Sequence, residues 1–247
     1  MTLYDRYING ETESVYVDID SMGKTAFSPG NFSDIEKVLK ETFQRVAFNL
    51  DIIFHELTAF NYLFKTQFEY NFQRPLHKPL ADTEELLARL DKSTRQFGFV
   101  PQSLKAFYRI VGGCNFAWDY DTNENYIWNY ADPIQISSLD DLVSEMMDED
   151  YLADLKEEYK EYGFIGIPIS ADFYHKDNTS GGLPYSLKLT DKPSIDGRLI
   201  NEEHDTTFIN YLRISFDNCG FSRITNSDNK NDFQLFFDKV KPKLKRI

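Results

Sequence analysis

Apolar residues recur in steps of three and four between residues 35 and 72, over about ten turns of a helix. This spacing places them on one side of an α-helix, and no Gly or Pro interrupts the pattern before Pro75. Ser33 and Glu36 have the spacing of a capping box, which predicts a helix start at Ser33. We therefore expect one long amphipathic helix, or two with a bend. Its apolar stripe must pack on the rest of the chain or on a second copy in a homodimer.

Weaker patterns divide the rest of the chain into short elements. Residues 1–32 indicate an extended or partly helical lead-in, and residues 75–79 indicate a linker. Start and stop signals predict helices at residues 82–97, 101–112, 139–162 (one helix or a pair), about 206–220, and 233–240. Aromatic and apolar runs predict a hairpin of residues 115–120 and 126–130, and strands at residues 164–169 and 185–189.

Composition excludes several classes of protein. With 41% hydrophobic and 15% aromatic residues in 247, the chain can bury a core and is not expected to be disordered. The net charge of -13 argues against a nucleic-acid binder, which usually has a basic face. The first residues lack the form of a signal peptide, and no apolar run reaches the length of a membrane span. We expect a cytoplasmic protein that binds neither membrane nor nucleic acid.

The two cysteines and the histidines give no cofactor or metal pattern. Cys114 and Cys219 are far apart in the sequence and follow no metal-ligand spacing. Two buried free thiols are the favoured interpretation, and a disulfide stays open as the alternative. No cofactor is predicted.

Charge is distributed unevenly along the chain. Residues 139–161 contain ten acidic residues against Lys156 and Lys160, a net charge of -8. A charged helix face is often only a solvated face, but this one is more one-sided than solubility requires, which favours a basic partner. The candidate contacts are Asp140, Asp141, Glu145, Asp148 and Glu149. The five basic residues at positions 239–247 are interpreted as a charge complement at a helix end or as a flexible tail.

Residues 172–185 combine ionisable side chains with a Ser-Gly-Gly turn and a Pro-Tyr pair. A nucleophilic Ser180 is one interpretation, but no Gly-x-Ser-x-Gly elbow surrounds it. A phosphate cradle lacks the Walker spacing, and a metal site would have to gather Asp172, His175, His204 and Asp196, which follow no ligand pattern. The favoured interpretation is structural: side-chain hydrogen bonds hold a connection between strands, and Gly181 and Gly182 supply the turn.

Two segments resemble a known family. Pro101, Leu104, Phe107 and Tyr108, followed by Gly112 and Gly113, resemble the opening motif of the SUKH superfamily, which contains Smi/Knr-type fungal cell-wall regulators and many bacterial immunity proteins. The second half of bacterial members is similar in order and spacing to the following residues of this chain: Asp172, His175, Lys176, Asn178, Ser180, Gly181, Gly182, Pro184, Tyr185, Asp196, Asn201, His204, Thr206, Tyr211, Arg213, Gly220 and Phe221. The family often ends in Gly-Gly-Phe-Pro, whereas this chain has Cys219, Gly220, Phe221 and Ser222.

The resemblance implies an α+β domain with a mixed β-sheet flanked by helices, over residues 81–247. Residues 1–80 are then an N-terminal helical extension packed against it as one unit. The resemblance implies a structural role for Gly112, Gly113, Ser180, Gly181, Gly182, Tyr185, Tyr211 and Arg213. It implies no enzyme, and instead a protein that binds and neutralises a toxin, often a nuclease. Asp172, His175 and Lys176 join the acidic residues as candidate partner contacts. The alternatives are a regulatory scaffold of the Smi/Knr type and an enzyme that uses Asp172, His175 and Ser180.

Overall fold

The computed structural model describes residues 1–67, 74–119, 122, 127–170 and 183–247. Within these residues the fold is α+β, as the sequence predicts. The helices of the described chain are α1 (Leu3–Ile8), α2 (Thr12–Ser21), α3 (Pro29–Ala59), α4 (Thr83–Thr94), α5 (Gln102–Ile110), α6 (Leu139–Glu145), α7 (Glu149–Tyr162), α8 (Phe208–Asp217) and α9 (Phe233–Val240). The strands are β1 (Leu76–His77), β2 (Gly113–Asn115), β3 (Gln135–Ile136), β4 (Gly166–Ser170), β5 (Tyr185–Lys188) and β6 (Leu199–Ile200).

The long helix α3 starts earlier and ends sooner than its apolar pattern predicts. Pro29 opens it, because a proline at the first helical position gives up no needed amide donor, so the predicted start at Ser33 is wrong. The helix ends at Ala59, and Asn61 then adopts a left-handed backbone with φ of 61°. The chain continues to Phe64, which pairs across a β-bridge with Trp118. Residues 68–73, at the end of the predicted helix, lie outside the described residues.

The N-terminal lead-in is helical rather than extended. In α1, Thr2 and Asp5 form a capping box, and α2 follows after Gly10. A 3-10 turn, Gly23–Phe27, connects α2 to α3. The three elements fold back along the start of α3, where the Asp34 carboxylate accepts a hydrogen bond from the Leu3 amide at 2.7 Å.

The strands form two antiparallel sheets, with orders β1-β2-β3 and β4-β5-β6. Every pairing of named strands is antiparallel in the described part of the chain, where the family resemblance implied a mixed sheet. The Ser137 amide donates to the Ile169 carbonyl at 2.8 Å, which connects the two sheets. The predicted linker at residues 75–79 contains β1, because its backbone pairs with β2 at Gly113 and Cys114.

The predicted hairpin of residues 115–120 and 126–130 is wrong. Among the described residues, its first run contributes Asn115 alone to a named strand, β2, and β2 pairs with β1 and β3. Trp128 and Tyr130 have φ of 54° and 57°, which no β-strand accommodates, and residues 127–130 form bends and turns. The aromatic character of this run serves the core instead. The Trp128 ring lies 5.0 Å from the rings of Phe221 and Phe233, between centroids.

One hydrophobic core runs through residues 1–80 and 81–247 together. Phe43 of α3 has its ring centroid 6.1 Å from that of Phe107 in α5 and 6.3 Å from that of Phe208 in α8. The apolar stripe of α3 therefore covers the protein's own core. Its buried hydrophobic residues are Ile35, Val38, Leu39, Phe43, Val46, Leu50, Ile53 and Leu57.

The basic C-terminal segment is docked rather than flexible. Lys239 and Lys243 each place Nζ 2.6 Å from a carboxylate oxygen of Glu56 in α3, and Lys241 lies 2.6 Å from Asp217 in α8. The Asn49 side chain also exchanges two hydrogen bonds of 2.8 Å with the backbone of Lys245.

Cys114 and Cys219 are buried free thiols, so the disulfide alternative is wrong.

Candidate functional site

The acidic segment of the sequence folds as the helix pair α6 and α7. Ser138 precedes α6, and its hydroxyl lies 2.6 Å from Asp140 Oδ1 and 2.9 Å from Asp141 Oδ2. Asp148 begins α7 by accepting a hydrogen bond from the Tyr151 amide at 2.9 Å, which satisfies one of the free donors of the first turn. Three of the five candidate contacts from the sequence, Asp140, Asp141 and Asp148, thus also hold helix starts in place.

The other two candidate contacts, Glu145 and Glu149, are exposed, and their carboxylates have no hydrogen bond or ion pair within the described chain. Partial desolvation of the otherwise exposed Glu145 carboxyl by its neighbours raises its pKa, and the nearby Asp141 charge adds to that shift. A group whose charged form is already disfavoured gains from a cation placed beside it. A cation beside Glu145 would therefore favour the charged form of its carboxyl.

The outer side of α7 carries further acidic residues that form a stripe. At 3.6 residues per turn, five exposed residues fall on one flank of the helix, while Lys156 and Lys160 fall on the other. We call this flank the acidic stripe; its members are Asp150, Asp154, Glu157, Glu158 and Glu161. Within the described chain, Glu157 alone of the five has an ion pair, with Lys160 at 2.5 Å.

Like charges at spacings of three and four repel each other by a few tenths of a kcal/mol per pair. The acidic stripe contains five such spacings, and the described chain brings no basic side chain across from another element to relieve them. Burial raises the pKa of Glu158, which adds to the cost of keeping the stripe ionised. A basic surface laid on this flank would remove that repulsion.

Helix α7 buries little of its apolar side completely. Leu155 is its one buried residue out of 14. The Tyr159 ring packs edge-on against Phe97 with centroids 5.6 Å apart, and Tyr162 is 59% exposed. An amphipathic helix in a protein core normally buries a wider face. Both the charge and the shallow packing of α7 distinguish it from the other long helices.

The residues shared with the family motifs form a different, interior group. The Tyr185 hydroxyl donates to Asp132 Oδ2 at 3.1 Å, and the Ser222 hydroxyl donates to the same oxygen at 2.6 Å. The Tyr211 ring packs edge-on against the Tyr185 ring, with centroids 6.0 Å apart, and its hydroxyl is buried with no hydrogen-bond partner among the described residues. Burial raises the pKa of Tyr211 far above its ordinary value.

Asp132 gave no signal in the sequence, because a lone aspartate after an aromatic run looks like a loop residue. In the structure it is fully buried and joins the loop before β3 to β5 and to the residues after α8. Its φ of 52° is a conformation that Asp and Asn adopt more readily than most residues.

The paired glycines and Arg213 have geometries that explain their place in the motif. Gly112 has φ of 102°, and a Cβ there would lie 2.6 Å from the backbone carbon of Lys78. Gly113 begins β2, where a Cβ would lie 3.2 Å from the Ile136 carbonyl oxygen. Arg213 of α8 donates to the backbone oxygens of Ile247 at 2.8 Å and Thr12 at 3.1 Å, and so joins the two ends of the described chain.

The segment that the sequence singled out lies almost wholly outside the described residues, which resume at Leu183. This applies to six candidate residues: Asp172, His175, Lys176, Ser180, Gly181 and Gly182. Asp196 and His204, the other two members of the metal alternative, have separate partners. Asp196 accepts from Ser103 Oγ at 2.8 Å, while His204 Nδ1 lies 2.5 Å from Glu202 Oε1. In the part of the chain that is described, no group of His, Cys, Asp and Glu is arranged to hold a metal ion.

Comparison of the chain with protein-family models, with curated proteins and with solved structures finds no match. None of the helices in the described residues combines the length and the apolar character needed to cross a membrane.

Proposed function

We propose that this protein is a non-enzymatic binding protein that neutralises a basic protein toxin in the cytoplasm, in the manner of SUKH-type immunity proteins. The resemblance of residues 101–113 and 171–221 to that family supplies the class of function. The observation that carries the proposal is the acidic stripe of α7. Its five exposed carboxylates lie on one flank and share one ion pair in the described chain.

The charge of the stripe suits a nuclease or another toxin that binds phosphates. Such proteins carry basic surfaces because they must meet the nucleic-acid backbone. An acidic inhibitor is drawn to the same basic surface that binds substrate, so electrostatic steering both speeds association and directs the inhibitor to the active face. A rate that falls as salt rises is the expected signature.

Two buried carboxylates of the described interior hold the fold together and are not offered as partner contacts. Asp132 and Asp196 each accept hydrogen bonds from groups that hold separate elements together: Tyr185 and Ser222 for Asp132, and Ser103 and the Ile209 amide for Asp196. Carboxylates engaged in this way stabilise the fold. We place the contact surface on α6 and on the acidic flank of α7, with Glu145 and the acidic stripe as its charged residues.

The direct test is a titration of this protein with the toxin domain encoded beside its gene. Isothermal titration calorimetry at about 0.01 M and about 0.15 M salt should show tight binding that weakens as salt increases. In a parallel assay, the toxin's activity should fall in proportion to the complex formed. Absence of binding at low salt would reject this toxin as the partner. Binding that leaves the toxin active would contradict neutralisation.

A further inference from the structure

A cavity of about 500 Å³ lies between the N-terminal helices and the start of α8, on elements that the acidic surface of α6 and α7 does not use. Small-molecule sites typically occupy about 300–1,000 Å³. Val17 of α2 lines the cavity and is 68% exposed, so the cavity opens to solvent along this helix. A cleft of this size and opening can admit an organic molecule.

The floor of the cavity is apolar. Tyr16 and Ile19 of α2 and Ala26 of the 3-10 turn line one side, and all three are buried. Ile195 and Ile209 line the opposite side and are also buried. An apolar body placed between these walls would leave water, at a gain of about 25 cal/mol per Å² of apolar surface.

The fixed charges around the cavity are mostly negative. Of the described residues that line it, Glu13, Asp20 and Asp196 are acidic and Arg213 is the one cation. The Arg213 guanidinium already donates to two backbone oxygens and lies 5.0 Å from the Tyr16 ring centroid. Asp196 is likewise engaged, since it accepts from the Ser103 hydroxyl and from the amides of Gly197 and Ile209.

The carboxylates of Glu13 and Asp20 are the ones still open to a ligand. Asp20 is exposed, and its carboxylate has no hydrogen bond or ion pair within the described chain. Glu13 has a loose ion pair with Arg246 at 3.8 Å, between two exposed side chains. Since α2 presents both acids and the apolar residues between them, one ligand can contact a charge and the apolar floor together.

From these observations we propose that the cavity between α2 and α8 binds a small organic cation, an amine on an aromatic or aliphatic body. The ammonium group would lie beside Asp20, with the Glu13 carboxylate adding negative charge about two helical turns away. The apolar body would lie between Tyr16, Ile195 and Ile209. A ligand there contacts residues from both the N-terminal helices and the rest of the chain. Binding should therefore stabilise the folded protein by mass action.

The test uses three probes with the same indole body: tryptamine as the cation, indole-3-acetamide as the neutral form and indole-3-acetate as the anion. Calorimetry and thermal unfolding are measured on the full chain. Tryptamine should bind with the highest affinity and raise the unfolding temperature most, and its affinity should fall with salt. Equal binding of the three probes, or none by tryptamine, would overturn the proposal.

Two pairs of variants locate the site. Asp20→Asn should weaken tryptamine about two- to fivefold, whereas Asp150→Asn, an equal charge change on α7, should not alter it. Val17→Trp should block the opening, and Val17→Ala, at the same exposed position, should leave binding intact. Loss of binding in Asp150→Asn, or full binding in Val17→Trp, would place the ligand elsewhere and contradict the proposal.

The outcome is independent of the toxin proposal. Neutralising Asp150, Asp154 and Glu158 should leave tryptamine binding unchanged, and blocking the cavity with Val17→Trp should leave toxin binding unchanged. Each proposal can therefore fail while the other stands.

Discussion

The hydroxyl of Tyr185 donates to the buried carboxylate of Asp132 at 3.1 Å, across 53 positions of sequence. Ser222, which follows α8, donates to the same carboxylate oxygen at 2.6 Å. One side chain therefore connects three segments that belong to different parts of the fold. This contact gives a physical role to the tyrosine that ends the singled-out segment at residues 172–185.

Two substitutions of Asp132 should differ in how much they destabilise the protein. Asp132→Ala leaves the hydroxyls of Tyr185 and Ser222 without their acceptor and places alanine at φ of 52°, so we expect a loss of about 3 kcal/mol in the free energy of unfolding. Asp132→Asn keeps an oxygen acceptor and a residue that tolerates this conformation, and should cost about 1 kcal/mol. Urea unfolding followed by circular dichroism gives both values. Equal losses in the two variants would show that the acceptor oxygen is unimportant.

The two packed tyrosines should differ in how much stability the protein loses with the hydroxyl. Tyr185→Phe removes a donor from the buried Asp132 carboxylate and should destabilise the protein by about 1–2 kcal/mol. Tyr211→Phe removes a buried hydroxyl that has no partner among the described residues, so stability should stay within about 0.5 kcal/mol or rise. The same unfolding measurement compares them. A larger loss for Tyr211→Phe would contradict the hydrogen-bond assignment.

The sequence predicted elements well where one periodicity decided the outcome. Helix α9 has the predicted bounds, and the acidic segment forms a helix pair, because helical spacing and local caps act within a few residues. The second strand of the expected hairpin failed because β-propensity of aromatic residues says nothing about φ, and Trp128 turns into the core. Asp132 could not be found, since its role depends on donors 53 and 90 residues away. The charge of α7 was visible in the sequence, but the division of acids and lysines between its flanks required the helix register.

Glu56 links the basic C-terminal segment to α3 and should make stability depend on pH. Ion pairs with Lys239 and Lys243 hold the pKa of Glu56 below its usual value of 4.5. A lowered pKa in the folded state adds stability above pH 4.5 that is lost as pH falls through the folded value. At pH 7, Glu56→Gln should cost about 1 kcal/mol, because both lysines are partly exposed and screened.

The difference in unfolding free energy between Glu56→Gln and the native sequence should shrink as pH falls below 4.5. Unfolding curves in urea at several pH values measure it. A difference that stays constant down to the lowest pH would show that the ion pairs do not stabilise the docked tail. A difference that grows as the pH falls would contradict the direction of the pKa shift.

Gly112 should tolerate no side chain. With φ of 102° and a Cβ position 2.6 Å from the Lys78 backbone, Gly112→Ala should destabilise the protein by about 2–4 kcal/mol through strain and displacement of β1. Gly163, with φ of 73° and open space around it, is the matched control, and Gly163→Ala should cost about 1 kcal/mol. Thermal unfolding compares the pair. Similar losses at the two positions would argue against the close approach of β1 to Gly112.

If the acidic stripe of α7 binds a basic toxin, its charge should set the rate of association. The decisive measurement is the association rate constant for the toxin domain encoded beside the gene, taken at low salt by stopped-flow fluorescence or surface plasmon resonance. One variant combines Asp150→Asn, Asp154→Asn and Glu158→Gln, which have no ion pairs in the described chain. A control variant makes the same charge change at other exposed sites: Glu36→Gln, Glu85→Gln and Asp191→Asn. Neutralising the stripe should slow association about tenfold, and the control should change it far less. Equal rate constants for the two variants would contradict the claim.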